Sequence, residues 1–305
     1  MRNINYSNTK KRSRYDRSSS PWIVHVFFVL ICLACVLPML LVTSASFTST
    51  EELGRRGFSL LPEKIDFTAY AYLFENPSEI IAAYGVTTFI TIIGTFLSVL
   101  IMAMAAYALS RNEFKLRKIT TMFIFFPMLF SGGLVASYIV NTQYLNLTDN
   151  IGVLILPSLV NVFHIIMLRT SIKDLPEELF DAAKIDGASE WRICFQIAMP
   201  LIKPVLATVA FLGALGRWNE WYNAMLYIRN PDKYPLQYLL QRMMMNIQEL
   251  LNNMGKIPTI VSTQELPGEN LRMALLIVCV GPMMLFFPFF QKYFVKGMTI
   301  GSVKG

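Results

Sequence analysis

The sequence predicts an all-α membrane protein with six transmembrane helices. Hydrophobic residues make up 54% of the 305 residues and charged residues only 15%, whereas about 25% of the residues in an ordinary globular domain are charged. A chain with so few charges does not cover a soluble surface with polar groups. A helix crosses the core of a bilayer with about 20 apolar residues. The segments that are apolar over such a length are 22–43, 84–109, 119–140, 151–169, 202–226 and 270–290.

The first span, 22–43, follows a basic stretch at 10–14 that resembles the charged start of a signal peptide. The apolar run is longer than a signal peptide requires, and further spans follow it. We therefore predict a retained first helix behind a cytoplasmic tail at 1–21. The sequence Ser44-Ala45-Ser46 leaves cleavage open as the alternative.

The distribution of lysine and arginine orients the spans. One side of the membrane holds 18 of the 27 basic residues, counting Arg169 at a helix end, and the other side holds 7. The richer side comprises 1–21, 110–118, 170–203 and 291–305, and the poorer side comprises 44–83, 141–150 and 227–269. The positive-inside rule then places both termini in the cytoplasm. The net charge of +7 follows from this topology and gives no reason to expect a nucleic-acid partner.

The sequence has no recognisable catalytic or metal-binding motif. Cys32 and Cys35 have C-x-x-C spacing, but no second pair completes a metal site. Both histidines fall within apolar spans, and there is no G-x-x-x-x-G-K-[ST] phosphate loop. An ion-coupled secondary transporter, the main alternative class, uses carboxylates inside the membrane, and only Glu220 lies within a span. We predict neither an enzyme nor a metal site.

The loop at 170–203 has the pattern of two short helices joined by a sharp bend. Pro176 suits a first helical turn, and Glu177 after it favours the positive end of the helix dipole. Gly187 suits the left-handed residue that ends this helix, and Ser189 suits the cap of the next one.

The first of these two helices has two different faces. Its polar face carries Glu177, Asp181 and Lys184, and its opposite face carries Leu179, Ala182 and Ala183. Small alanines allow a neighbouring backbone to come close, and a carboxylate offers a partner for arginine or lysine. We therefore predict that the helix docks into a groove on another protein. The alternative is an amphipathic helix that rests on the lipid headgroups.

This loop resembles the EAA motif of ABC importer permeases, in which E-A-A is followed by three residues, G, nine residues and I-x-L-P. The matching positions are Asp181, Ala182, Ala183, Gly187, Ile197, Met199 and Pro200, and Asp186 and Ala188 extend the likeness. Asp181 stands in place of glutamate and Met199 in place of leucine. The shorter reach of Asp181 puts the strength of its pairing with an ATPase in question. The resemblance implies a type I ABC importer permease fold, with this loop as the coupling helix in a cleft of the ATPase.

The resemblance also implies the assembly around the chain. Its partners would be a second, different permease, two copies of an ABC ATPase and an extracellular or periplasmic sugar-binding protein, all at the bilayer of a bacterial cell membrane. ATP and Mg would be held by the ATPase subunits, and this chain would bind no cofactor.

The C-terminal tail at 291–305 resembles the end of carbohydrate-importer permeases of the maltose type, as does the segment at 147–157. Within that group it is similar to the second of two permeases, whose tail reaches between the ATPase copies. The residues to which the resemblance gives this role are Lys296, Gly297, Gly301 and Lys304. A frayed polar end is the alternative. The resemblance implies import of a sugar by the branch that serves complex oligosaccharides, and import of a non-sugar solute is the alternative.

The fifth span contains an unusual polar and aromatic stretch for a membrane helix. Its candidate residues for a sugar pathway are Arg217, Trp218, Asn219, Glu220, Trp221 and Asn223. Ionisable residues inside a membrane are functional candidates, and Arg217 and Glu220 are spaced to pair on one helix face. The alternative is an interfacial aromatic belt with a structural ion pair. The external loop at 227–269 is predicted to contact the binding protein.

Prolines predict bends in two of the spans. Pro127 with Gly132 and Gly133 is expected to bend the third span, and Pro282 and Pro288 the sixth. Hinges of this kind suit an alternating-access transporter, although proline also serves helix packing in membranes.

Overall fold

The computed structural model describes residues 22–75, 77–254 and 268–300. These ranges fold into α-helices joined by short turns, with no β-strand among them. The helices are α1 (Trp22–Ser46), α2 (Thr50–Arg56), α3 (Thr68–Leu73), α4 (Pro77–Ser110), α5 (Arg117–Leu129), α6 (Gly133–Tyr144), α7 (Gly152–Ser158), α8 (Val162–Lys173), α9 (Glu177–Ile185), α10 (Glu190–Leu201), α11 (Lys203–Trp218), α12 (Tyr222–Tyr227), α13 (Leu236–Met254) and α14 (Glu269–Ile300). The all-helical class is confirmed.

The long helix α4 lies at the centre of the fold and packs against α8 and α11. Small residues on α4, among them Gly94 and Ala103, let the neighbouring helices approach closely. Two apolar clusters form along it. The outer cluster includes Ile90, and the cluster at the opposite end includes Met102 and Ala106.

Two of the apolar helices are long enough to span a membrane as single, unbroken helices. They are α1, whose apolar side chains are exposed along most of its length, and α4. Three further pairs reach that length only as bent pairs: α5 with α6 at 114°, α7 with α8 at 49°, and α10 with α11 at 83°. By length and composition, the described part of the chain therefore has two candidate membrane spans, or up to five if each bent pair counts as one span.

Some predicted spans need correction. The span predicted at 119–140 is two helices, α5 and α6, that meet at a sharp turn near Gly133, whose φ is +80°. The bend predicted from Pro127 and the glycines is thus confirmed. The prediction of one continuous membrane-spanning helix over 119–140 is wrong. The span predicted at 151–169 is also broken, between Ser158 and Val162.

The last two predicted spans differ from the structure at their ends. Helix α11 stops at Trp218, and the remainder of the span predicted at 202–226 forms the separate helix α12. Helix α14 continues through Pro282 and Pro288 as one helix to Ile300, so the structure has no helix break at either proline. The predicted tail at 291–305 is therefore helical as far as Ile300.

The described connecting segments lie at the two ends of the helix bundle. At one end, the backbone N–H of Leu236 donates to Thr87 Oγ1 of α4 at 2.8 Å, and Thr50 Oγ1 donates to Asn270 Oδ1 at 2.9 Å. At the other end, Tyr107 of α4 donates to Glu190 of α10 at 2.5 Å. Among the described loops, 110–118 and 170–203 lie at the Tyr107 end of α4, and the segment that ends at Leu236 lies at the Thr87 end.

Candidate functional site

The loop at 170–203 forms the predicted pair of helices, α9 and α10, because local signals set its ends. Pro176 occupies the N-cap position immediately before α9, with φ −56° and ψ 133°, and Gly187 follows the end of the helix with a φ of +76°. The N–H of Ala188 donates to Ala183 O at 2.9 Å, which closes the turn. Ser189 then accepts from the N–H of Arg192 and caps α10.

The buried face of α9 differs from the predicted one. Phe180 and Ala183 are buried against the cluster around Met102, whereas Ala182 is exposed beside Asp181. The prediction that Ala182 lies opposite the acids is therefore wrong, because Phe180 takes that inward position. Ile185 is 87% exposed on the same outer edge. The edge thus combines a carboxylate, a small residue and an uncovered aliphatic side chain.

That exposed edge of α9 is extended by the turn that follows it. Asp186 and Gly187 are both exposed there. Of the three motif residues on α10, Ile197 and Met199 are half-buried against the cluster around Met102 and Pro200 is exposed. We call the exposed set the docking edge, and its members are Asp181, Ala182, Ile185, Asp186 and Gly187.

A group of charged residues that sequence reasoning missed ties α9 to the turn that directly follows α4. Lys184 forms salt bridges with Glu113 and, at 3.5 Å, with Glu190. Arg111 donates to Glu113 at 3.2 Å, and its guanidinium lies 4.4 Å from the ring centre of Phe180. Lys184 and Glu113 are far apart in the sequence, and no spacing rule links them. We call these contacts the α9 tether.

The charges of the α9 tether shift the pKa values of its two central groups. The hydrogen bond from Lys184 lowers the pKa of Glu113, with a smaller contribution from Arg111. The same bond raises the pKa of Lys184. Both groups are therefore held in their charged forms, as an ion pair requires.

Arg217 is buried within the bundle, with 6% of its surface exposed. Its Nη2 donates to Ser158 O at 2.9 Å and its Nη1 donates to Gly213 O at 3.2 Å. Its side chain fills a slot beside Gly94, where an added Cβ would lie 2.5 Å from Nε. Arg217 thus supplies donors to a carbonyl at the break between α7 and α8.

The predicted ion pair between Arg217 and Glu220 is not formed. No salt bridge joins them in the part of the chain that the structure describes. Helix α11 ends at Trp218, so the two residues do not share a helix face. Glu220 instead accepts from the N–H and the side-chain amide of Asn223, both at 2.9 Å, and fixes the start of α12.

The remaining candidates of the fifth span divide into buried and exposed residues. Trp218 is buried, and its Nε1 donates to Cys279 O at 3.1 Å. Asn219 is exposed and accepts from Gln237 of α13 at 3.0 Å. Trp221 is 40% exposed and meets the exposed ring of Tyr222 edge-on at 5.7 Å between centroids. Tyr222, absent from the predicted set, therefore joins Asn219 and Trp221 at the accessible outer end of α11.

The structure adds two facts about the other predicted sites. Within the described ranges, no group of three or more His, Cys, Asp or Glu residues could hold a metal ion. Lys296 and Gly297 lie on the last turns of α14. Gly301 and Lys304 lie outside the described residues.

Comparison with known proteins decides the family. Residues 98–300 match the family described as binding-protein-dependent transport system inner membrane component. The chain belongs to this family. It is a membrane component of a transport system, and the family is one of translocation subunits.

Two relatives from Bacillus subtilis (strain 168) align with most of this chain. Protein LplC is 37% identical over 88% of this chain and 90% of its own length. The polygalacturonan/rhamnogalacturonan transport system permease protein YtcP is 35% identical over 93% of this chain and 97% of its own.

A solved structure has the same fold. The chain matches a bacterial ABC transporter involved in the import of the acidic polysaccharide alginate, with a TM-score of 0.77 and 27% identity over 90% of this chain and 95% of that one. The family and this match confirm the type I ABC permease fold and location in the inner membrane. They do not favour an ion-coupled secondary transporter.

Proposed function

We propose that this chain is one of two different permeases in an ATP-driven importer that translocates an oligosaccharide delivered by an external binding protein. The observation that carries this proposal is the docking edge. A short helix, fixed from behind by the α9 tether, presents a carboxylate and an exposed Ile185 away from the bundle. The names of the relatives support a carbohydrate, because YtcP is named for polygalacturonan/rhamnogalacturonan transport and the solved transporter for import of the acidic polysaccharide alginate.

The proposed topology has six spans and places both termini in the cytoplasm. We divide the chain into a cytoplasmic tail, a first helix, an external segment, a core and a C-terminal tail at 1–21, 22–43, 44–83, 84–290 and 291–305. The core carries the coupling loop 170–203 and the external loop 227–269. Support comes from the position of the two described basic loops, 110–118 and 170–203, at the same end of α4, and from the exposed apolar surface of α1.

ATP is hydrolysed by two partner ATPases, which hold ATP and Mg. In this proposal each cycle begins when the ATPases close and pull on the docking edge, where Asp181 pairs with a basic residue of the ATPase cleft. The α9 tether passes that displacement to α4, and the bundle then opens toward the outside. Motif residues Ile197 and Pro200 support α10 from within the loop. The tail with Lys296, Gly297, Gly301 and Lys304 reaches between the ATPases.

The sugar pathway in this proposal uses the exposed residues at the outer end of α11. Aromatic side chains stack on the apolar faces of sugar rings, and amides satisfy the hydroxyl groups. Trp221, Tyr222 and Asn219 offer both kinds of contact and are accessible. The buried residues Arg217 and Trp218 shape the pathway from behind, and the loop at 227–269 contacts the binding protein.

The test is purification of the tagged chain from native membranes in a mild detergent, followed by identification of the bound subunits. We expect an ABC ATPase and a second permease. Uptake of a panel of labelled solutes by proteoliposomes that contain the complex and its binding protein then identifies the cargo, and we expect an oligosaccharide. A chain that repeatedly comes out alone contradicts the importer assembly. An intact complex that moves only amino acids or metal ions contradicts the sugar assignment.

A further inference from the structure

Four basic residues converge at the ends of α5 and α8, on the side of the bundle that carries the docking edge. They are Arg117, Lys118, Arg169 and Lys173. Burial lowers the pKa of Lys173, and the neighbouring charges of Arg169 and Arg117 lower it further. In the ranges that the structure covers, no salt bridge joins any of the four to a carboxylate. We call them the basic cluster.

The contacts within the basic cluster position the guanidinium groups without neutralising them. Arg169 Nε donates to Leu109 O at 3.1 Å, and Arg117 Nη1 donates to Asn112 Oδ1 at 2.6 Å. Lys118 is exposed. Like charges that lie close together gain from an anionic ligand, because Coulomb attraction then offsets their repulsion.

A cavity of about 380 Å³ opens beside the cluster. Its basic wall is Arg117, Lys118 and Arg169, and its apolar wall is Met122 and Phe125. Thr121 also lines the cavity, and its hydroxyl has no hydrogen-bond partner in the structure. The site thus combines a polar, cationic end with an apolar end along one helix.

The position of the cavity favours a lipid over a soluble anion. Helix α5 continues away from the basic cluster with exposed Met122, Phe123 and Phe126, which is the surface expected against acyl chains. The cluster therefore lies at the level of the headgroups, where basic pockets between membrane helices bind anionic lipids. An inorganic anion would use the cationic end and leave the apolar wall uncovered.

We propose that the basic cluster binds one anionic phospholipid, with the phosphate against the cavity wall of Arg117, Lys118 and Arg169 and one acyl chain along Met122 and Phe125, while the nearby Lys173 adds to the positive charge. The inference rests on the proposed topology, which makes the headgroups at this level those of the cytoplasmic leaflet. It reaches beyond transport itself, because it places a specific lipid contact directly behind the coupling loop, where Asn112 donates to Glu177 of α9 at 3.1 Å.

The test is native mass spectrometry of the purified complex released from micelles that contain equal amounts of phosphatidylglycerol and phosphatidylcholine. We expect retention of at least one phosphatidylglycerol per complex in preference to phosphatidylcholine. The variant Lys118→Gln/Lys173→Gln leaves both arginines in place, and we expect it to weaken that retention by roughly 5-fold for each lysine. Inorganic phosphate at millimolar concentration is expected not to displace the lipid.

The matched control is Lys115→Gln/Lys203→Gln, which removes the same charge from exposed residues outside the cavity. Equal retention of the two lipids, equal loss in the control, or displacement by inorganic phosphate would each overturn the proposal. Loss of the ATPase from the lysine variant would overturn it too, since the cluster would then be a protein contact. Because the readout is a lipid count, it stands apart from failure of the sugar-uptake test.

Discussion

The docking edge and the outer end of α11 were both predicted as functional sites, and they fared differently. At the docking edge the predicted helix ends, bend and acidic surface are present. At α11 the predicted ion pair is absent, and Arg217 and Trp218 are buried in contacts that hold helices together. The difference teaches that unusual residues in a membrane span serve the fold as readily as they serve a substrate.

The two regions differ because the conformation of the first is set by residues close in sequence, and that of the second by residues far apart in sequence. Caps and a left-handed glycine act within a few residues, so they are visible in the sequence of α9 and α10. Arg217 binds a carbonyl at Ser158 and fills a slot at Gly94. Neither contact has a local signature.

Gly94→Ala should be the most damaging change. The added Cβ would lie 2.5 Å from Arg217 Nε, so the guanidinium must leave its slot and its two carbonyl partners. We expect a loss of about 3 kcal/mol in the free energy of unfolding, from overpacking and unpaired polar groups. Thermal unfolding in detergent measures it. Gly85→Ala on the same helix meets no atom within 4 Å and should not destabilise. Equal stability of the two variants would show that Arg217 does not depend on the slot.

Asp181→Lys should reduce transport without removing the protein from the membrane. Reversal of the charge at the docking edge replaces attraction to a basic residue of the ATPase with repulsion, and we expect about tenfold slower uptake. Uptake and ATPase rates in proteoliposomes measure the effect. The control is Glu51→Lys, an exposed acid at the other end of the bundle. Uptake at the wild-type rate in Asp181→Lys would refute docking through this carboxylate.

Gly187→Ala should have a smaller effect of the same kind. The glycine has a φ of +76° with open space around it, so the cost is conformational and should be about 1 kcal/mol. We expect uptake to fall several-fold while Gly187→Asn retains more of it, because asparagine tolerates this conformation better. If alanine and asparagine behave alike, the bend does not depend on the left-handed residue.

Glu113→Gln should have the smallest effect, because this salt bridge is partly exposed to solvent. The pKa of Glu113 is lowered in the fold, so its contribution is complete above the ordinary value of 4.5 and is lost as the pH falls through the lowered pKa. The pKa of Lys184 is raised, so its contribution is complete below 10.5 and is lost at higher pH. A pH series of unfolding temperatures should show a weak acid-side loss that Glu113→Gln lacks. If the unfolding temperatures of the wild type and Glu113→Gln fall equally at acid pH, the α9 tether does not contribute to that loss of stability.

Much of the architecture is readable from the sequence because bilayer thickness and helix caps impose local patterns. The helix pair around Gly187 and the turn near Gly133 are examples. The break between Ser158 and Val162 is not readable, since it depends on Arg217 and on Ser98, which donates to Leu159 O. The inward position of Phe180 also depends on a remote group, the guanidinium of Arg111. Tertiary contacts between distant segments decide these features.

The unbroken course of α4 limits how the transporter can leak. A helix of 34 residues extends for about 50 Å at 1.5 Å per residue, farther than the roughly 30 Å of a hydrocarbon core. It meets Glu190 at one surface and Leu236 at the other. A rigid helix of this kind moves both surfaces in the same event. In the proposed importer we therefore expect the two gates, meaning the closures of the translocation path at the two ends of the bundle, to move together. A conformation with both gates open would require α4 to bend, and its continuous backbone hydrogen bonds oppose that.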